Sequence, residues 1–273
     1  MKKIIVPVDF SEQSEYALQA AALLAKKHSA EIFVLHMLEL SRAIISTPDG
    51  MYYDQTVFFI QLAEKKFETF LQKPYLKDIK VTPIIKHYKV YQEVNDIVEK
   101  HQADLIVMGS NGADGLSEIF IGSNAEKMVR NSEVPVLVIK EPVSSFTIEN
   151  IAFGCDFKEE NLAVFKKVLA FAKTVTANVN PVFINTPGED FLDSLAIEKR
   201  IASFLAIADV QMQVDVFNDY TVEKGILHYS EDIKADLIAI PTHGRKGLSH
   251  LFMGSIGEDI VNHAIRPVVT FKI

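Results

Sequence analysis

The segment ADLIVMGSNG at Ala103–Gly112 returns as ADLIAIPTHG at Ala235–Gly244, and the register then holds through Gly122/Gly254, Ser123/Ser255, Glu126/Glu258 and Pro135/Pro267. About a dozen identities fall in roughly thirty positions. Upstream, IIVPVDF at Ile4–Phe10 lies over IAFGCDF at Ile151–Phe157, so Asp9 and Asp156 correspond. A unit written twice constrains the fold strongly, because each copy must bury its own core, and 273 residues give each the length of an ordinary domain. The expected units are residues 1–142 and 149–273, with the boundary in the polar stretch Glu141–Asn150.

Within each unit, short apolar runs alternate with helical patterns. In the first, KIIVPVD, EIFVLHML, VTPIIKHY, DLIVMG and VPVLVIK read as strands; SEYALQAAALLAKKHSA, IQLAEKKFETFLQK, VYQEVNDIVEKH and SNAEKMVRNS read as helices between them. This alternation predicts an α/β fold, an open parallel sheet covered by helices, and the near-continuous apolar strands fit a sheet buried on both faces. From Asp9 to Gly109 is 100 residues and from Asp156 to Pro241 is 85, which places an insertion in the first copy. Its expected location is Ser41–Phe59, a loop with a turn at Pro48-Asp49-Gly50 and aromatics without clean periodicity. A loop after the second strand emerges on the ligand side of such a sheet, where it would act as a lid; packing of Met51, Tyr52, Tyr53, Phe58 and Phe59 between domains or against a partner is the alternative.

The formal charge of −8, from 28 basic and 36 acidic side chains mixed along the chain, argues against broad attraction to nucleic acid or anionic membrane. One cysteine, Cys155, forms no internal disulfide and suits a reducing cytoplasm. The apolar start MKKIIVPVDF ends at Asp9, short of a signal peptide's apolar region, and no run reaches the roughly 18 apolar residues of a membrane span. The expectation is a cytoplasmic protein.

The glycines carry the chemistry. In open parallel sheets ligands bind beyond the carboxyl ends of the strands, and Gly109 stands at such an end. Glycine there permits a positive φ and close approach of backbone to ligand. Gly122-Ser123 then opens a helix whose first N–H groups and dipole favour an anion. These features describe a phosphate cradle; turn formation and helix capping account for the same glycines without a ligand. Neither GxxxxGK[ST] nor GxGxxG is present, which argues against a Walker-type nucleotidase and a dinucleotide dehydrogenase.

At these residues the chain resembles the universal stress protein family in its tandem form. ATP-binding members carry Gly, two residues, Gly, nine residues, Gly, then Ser or Thr, and Gly109, Gly112, Gly122 and Ser123 meet that pattern. VPVDFSEQSEYAL, LHML and GSNAEKMVRNSEVPVLVIK agree as well. The resemblance implies two tandem Rossmann-like domains, each with an open five-stranded parallel sheet, and an adenine nucleotide, ATP with or without Mg2+, as ligand. It assigns Asp9 to the ribose or adenine region with Pro7 and Val8 shaping the pocket, the Met37 backbone to the adenine edge, and Gly109, Ser110, Gly112, Gly122, Ser123 and Asn124 to the phosphates. For Asp9 the alternative is a cap on the following helix together with Ser11. The resemblance further implies that the terminal strands pair the domains as an intramolecular pseudo-dimer, leaves a homodimer open, and supplies no identity for a protein partner.

The second copy departs from the pattern. Pro241 replaces the first glycine and removes both a donor and conformational freedom, and Gly154-Cys155 replaces Pro7-Val8. A structural or regulatory role is expected for this domain. His243, His250 and His263 read as surface or capping histidines rather than metal ligands, and Cys155 as an inert buried thiol. The leading function is a nucleotide-binding regulatory protein of the stress response. A slow ATP hydrolase and an interaction module without nucleotide are the alternatives; no catalytic residue is assigned.

Overall fold

The computed structural model describes residues 1–38, 51–87, 90–110, 123–143, 145–188, 190–242 and 254–273, with the backbone alone at 51–56, 87, 90–93, 123–124, 254–256 and 258. The chain divides into two compact units, Met1–Ala125 with Val138–Phe146, and Glu126–Leu137 with Thr147–Ile273.

In the first half, β1 (Lys3–Val8), α1 (Glu12–His28), β2 (Glu31–Leu38), α2 (Met51–Phe70), β3 (Val81–His87), α3 (Val90–His101), β4 (Leu105–Gly109), α4 (Ser123–Asn131) and β5 (Val136–Ile139) follow in order. The strands lie in the order β3-β2-β1-β4-β5, and β1 pairs in parallel with both β2 and β4. Ile4, Ile5, Val6, Leu105, Ile106, Val107, Leu137 and Val138 are all buried, as central strands covered on both faces require. Pro83, which cannot donate to a ladder, lies on the outermost strand β3.

The second half repeats the plan with β6 (Asn150–Gly154), α5 (Leu162–Val175), β7 (Asn178–Asn185), α6 (Ser194–Ala208), β8 (Asp215–Asn218), α7 (Val222–Asp232), β9 (Leu237–Thr242), α8 (Gly254–His263) and β10 (Val268–Lys272). Its strand order is β10-β9-β6-β7-β8. The five-stranded parallel arrangement expected from the alternation is thus present twice.

The repeated ADLI has a structural cause. Asp104 Oδ2 accepts hydrogen bonds from the backbone N–H groups of Lys2 and Lys3 at 2.6 and 3.0 Å, and Asp236 Oδ2 accepts from those of Glu149 and Asn150, both at 2.9 Å. Each aspartate pins the first residues of its unit's first strand beside the strand that follows it.

One sequence expectation is corrected. The insertion is not a loop up to Phe59: α2 begins at Met51, so Met51, Tyr52, Tyr53, Phe58 and Phe59 belong to a helix of 20 residues, against 15 in its counterpart α6. Pro48-Asp49-Gly50 is the last helix-breaking sequence before it, and Ala63, Phe67 and Phe70 form its buried stripe. Residues 41–50, the rest of the expected lid, lie outside the described residues.

Candidate functional site

At the carboxyl end of β1 the chain makes a sharp turn. Phe10 takes the left-handed conformation, φ 66°, which costs a bulky L-residue about 1 kcal/mol or more. Its ring is held by Phe67 and Phe70 of α2, with centroids 5.1 and 5.5 Å away, and by the imidazole of His36 at 4.4 Å. Phe10 therefore turns towards the α2 side while Asp9 is left exposed at the strand end. The corresponding Phe157 repeats the conformation, φ 53°, with its ring edge-on to Phe204 of α6 at 5.4 Å.

Asp9 is tied to the cap of α1. Its Oδ1 accepts from the Ser11 backbone N–H at 3.0 Å and from the Ser11 hydroxyl, while Ser11 Oγ accepts from the Ser14 N–H at 3.2 Å. Ser11, rather than Asp9, is the capping residue. The carboxylate orients that cap and remains accessible at the sheet's carboxyl edge.

On the neighbouring strand, His36 stands opposite Val8, and its Nδ1 donates to the Val8 carbonyl oxygen at 2.8 Å. Burial is the largest influence on this imidazole and lowers its pKa from 6.5; nearby Lys66 acts in the same direction, while the Val8 carbonyl and Asp9 oppose it. Met37 lies inside β2 opposite Lys86 of β3, half-buried, and not in the segment after the strand. Val8 is buried and Pro7 half-buried.

Gly109 ends β4 and corrects the reason given for a glycine there. It does not take a positive φ; among the described residues Gly188 is the glycine that does. A Cβ at 109 would stand 2.6 Å from the carbonyl oxygen of Gln13 and 2.7 Å from its carbonyl carbon. The first turn of α1 thus passes directly over Gly109, and glycine is required by helix packing whatever else approaches it. Ser110 is buried and its N–H donates to the Ile139 carbonyl at 3.2 Å. Gly112 and Gly122 lie outside the described residues, and α4 begins at Ser123-Asn124, whose side chains are not described. Pro7, Val8, Asp9, Met37, Gly109 and Ser110 therefore gather at the carboxyl ends of three adjacent strands.

The second unit builds the equivalent corner differently. Asp156 is only 8% exposed; its Oδ1 accepts from the Lys158 N–H at 3.0 Å and from Asn161 Nδ2 at 2.6 Å, and Lys158 Nζ lies 3.4 Å from Oδ2. Where α1 starts at Glu12, three residues after Asp9, this copy runs a 3-10 turn over Glu159–Asn161 and starts α5 at Leu162. Pro241, in the place of Gly109, sits inside β9 opposite Phe271. Gly154 answers to a different neighbour: a Cβ there would stand 2.4 Å from Ile226 Cδ1. Beside these residues opens a small pocket whose lining includes Cys155, Asp156, Ile184, Asp190, Arg200 and Val222. The Arg200 guanidinium lies 5.9 Å from the centroid of the Phe183 ring, the residue at the position of His36.

Cys155 is buried, its sulfur accepts from the Phe157 N–H at 3.3 Å, and burial pushes the thiol pKa far up. His263 Nδ1 pairs with Glu223, while His243 and His250 lie outside the described residues. Sequence reasoning missed His36 and Asn161. The LHML run reads as a strand end and as part of the family resemblance without singling out its histidine, and Asn161 is given no role there.

The model of the universal stress protein family matches residues 1–140 and again 147–272. Universal stress protein Slr1230 of Synechocystis is 25% identical over 295 aligned residues that cover all of both chains. Universal stress protein MJ0577 of Methanocaldococcus jannaschii is 33% identical over 153 residues, covering 51% of this chain and 94% of the relative. The crystal structure of a universal stress protein from Archaeoglobus fulgidus shares the fold, with a TM-score of 0.67 at 22% identity over 99% of this chain and 96% of the other. Among the described residues no helix is long and apolar enough to cross a membrane. Two family matches in sequence, each over one written copy of the repeat, establish that the chain belongs to the universal stress protein family as a tandem two-domain member.

Proposed function

We propose that the first domain binds an adenine nucleotide, ATP in the first instance with or without Mg2+, and that occupancy changes how this stress-response protein engages a protein partner. The observation that carries this reading is the exposed Asp9 carboxylate at the end of β1, beside Met37 of β2 and the Gly109-Ser110 end of β4. A carboxylate in that place accepts hydrogen bonds from sugar hydroxyls, which fits a nucleoside at this edge of the sheet. The segment between β4 and α4 keeps the spacing Gly109, Gly112, Gly122, Ser123 that the family's ATP-binding members carry. At the second domain's corner Asp156 is engaged by its own loop and Pro241 stands in the glycine's place, which supports a structural or regulatory role for that domain.

Purified protein is denatured and the released small molecules are separated by chromatography, alongside titration of the intact protein with ATP. ATP released from the wild-type chain and lost from Gly122→Val, with the circular dichroism of that variant unchanged, supports the proposal. ADP accompanied by turnover would instead favour a slow hydrolase. No nucleotide and no titratable binding would overturn the reading, and equal loss from Gly254→Val alone would contradict its assignment to the first domain.

A further inference from the structure

The geometry points to His36 as the positioning residue of the first domain's ligand site: it holds the two neighbours of Asp9, the Val8 carbonyl and the Phe10 ring, so that the Asp9 carboxylate is presented at the carboxyl edge of the sheet. This rests on the nucleotide-binding reading above for its consequence, though not for its geometry.

Three observations carry it. The Nδ1–H of His36 donates to the Val8 carbonyl oxygen at 2.8 Å, which fixes the peptide plane between Val8 and Asp9. The same imidazole lies 4.4 Å from the ring of Phe10, whose left-handed φ of 66° persists only where surrounding contacts enforce it. Phe67 and Phe70 close the other sides of that ring. His36 thus touches both neighbours of Asp9, the Val8 carbonyl and the Phe10 ring, and the carboxylate is steadied by Ser11.

The second unit supplies the comparison. Phe183 occupies the position of His36 and has no donor for a carbonyl. There the aspartate is buried and bound by Asn161 and Lys158. Both copies therefore keep the Asp-Phe turn, and only the copy with the histidine leaves its aspartate exposed. The donor at Nδ1 survives protonation, because the added proton goes to Nε2. The charged groups acting on the ring are Lys66 of α2 and Asp9 itself.

The test measures ATP affinity by calorimetry for wild type, His36→Phe, His36→Asn, Asp9→Asn and the double variant His36→Phe/Asp9→Asn. His36→Phe is expected to weaken binding about tenfold, a loss of about 1.4 kcal/mol. His36→Asn places an amide donor where Nδ1–H stood and recovers most of it. The double variant binds no more weakly than Asp9→Asn alone, since His36 acts through Asp9. Unchanged affinity in His36→Phe, or losses that simply add in the double variant, would overturn the assignment. Failure of the parent reading is distinguishable, because the placement of Asp9 is also read without ligand. In His36→Phe the Asp9 carboxyl carbon shift changes and the Ser11 amide exchanges faster. If both stay as in wild type, the inference is overturned even when the wild-type chain binds no ATP.

Discussion

Gly109 faces the backbone of Gln13 so closely that an added Cβ would lie 2.6 Å from the Gln13 carbonyl oxygen. Backbone on that side cannot move away as the tip of a side chain could. Gly109→Ala is therefore expected to destabilise the unliganded protein by about 1–3 kcal/mol, the usual cost of overpacking a closed site. Urea unfolding without nucleotide checks this, and a variant as stable as wild type would show that α1 yields. Pro241→Gly in the second unit is expected to cost only about 1 kcal/mol or less, chiefly by loosening the unfolded chain.

The two ADLI aspartates give a second expectation. Asp104 and Asp236 accept paired backbone N–H groups at the entries of β1 and β6. Because Asp104 is exposed, Asp104→Ala costs about 0.5–1.5 kcal/mol in stability, and its clearer signature is local. Hydrogen exchange should quicken at the Lys3 amide while the amides of β4 keep their protection. Unaltered exchange at Lys3 would mean that the strand pairing alone holds that end.

Much of the fold was legible because the hydrophobic period is strong: β1, β2, β4 and the helices beside them fall where apolar runs and caps placed them. The start of α2 was not, since aromatics at Met51–Phe59 lack a visible stripe and only tertiary packing of Ala63, Phe67 and Phe70 sets the helix. At the site, Asp9 and Gly109 were legible as residues at strand ends, yet the physical role of Gly109 was not. Its constraint comes from Gln13, a residue 96 positions away by number whose side chain carries no pattern. His36 and Asn161 were hidden for the same reason, as hydrogen bonds to a neighbouring strand or loop leave no periodicity in the sequence.

Burial sets the pH response of His36. Its pKa in the folded protein is below 6.5, so as pH falls beneath that value the unfolded chain takes up a proton that the folded one refuses. Stability should therefore decline as pH drops below 6.5, and His36→Phe should reduce the slope. The slope does not vanish, because His28 and His101 are also lowered, each chiefly by burial. Urea midpoints measured at steps from pH 7.5 downward test this; an unchanged slope in His36→Phe would show that the ring titrates alike in both states.

The paired aspartates separate stability from binding. Asp156 receives a hydrogen bond from the fully buried Asn161 Nδ2, so Asp156→Ala leaves that donor unpaired and should cost about 1–3 kcal/mol. Asn161 Oδ1 already lacks a partner in the described structure, so this corner has little reserve to absorb the loss. Asp9 is exposed, and water replaces it at the Ser11 hydroxyl and N–H, so Asp9→Ala should cost less than about 1 kcal/mol. The proposed ATP site predicts the reverse order in nucleotide retention: Asp9→Ala is expected to release nucleotide, and Asp156→Ala, where it folds, to keep it. Equal destabilisation by the two substitutions, or retention of nucleotide by Asp9→Ala, would contradict the proposed division of labour between the two copies.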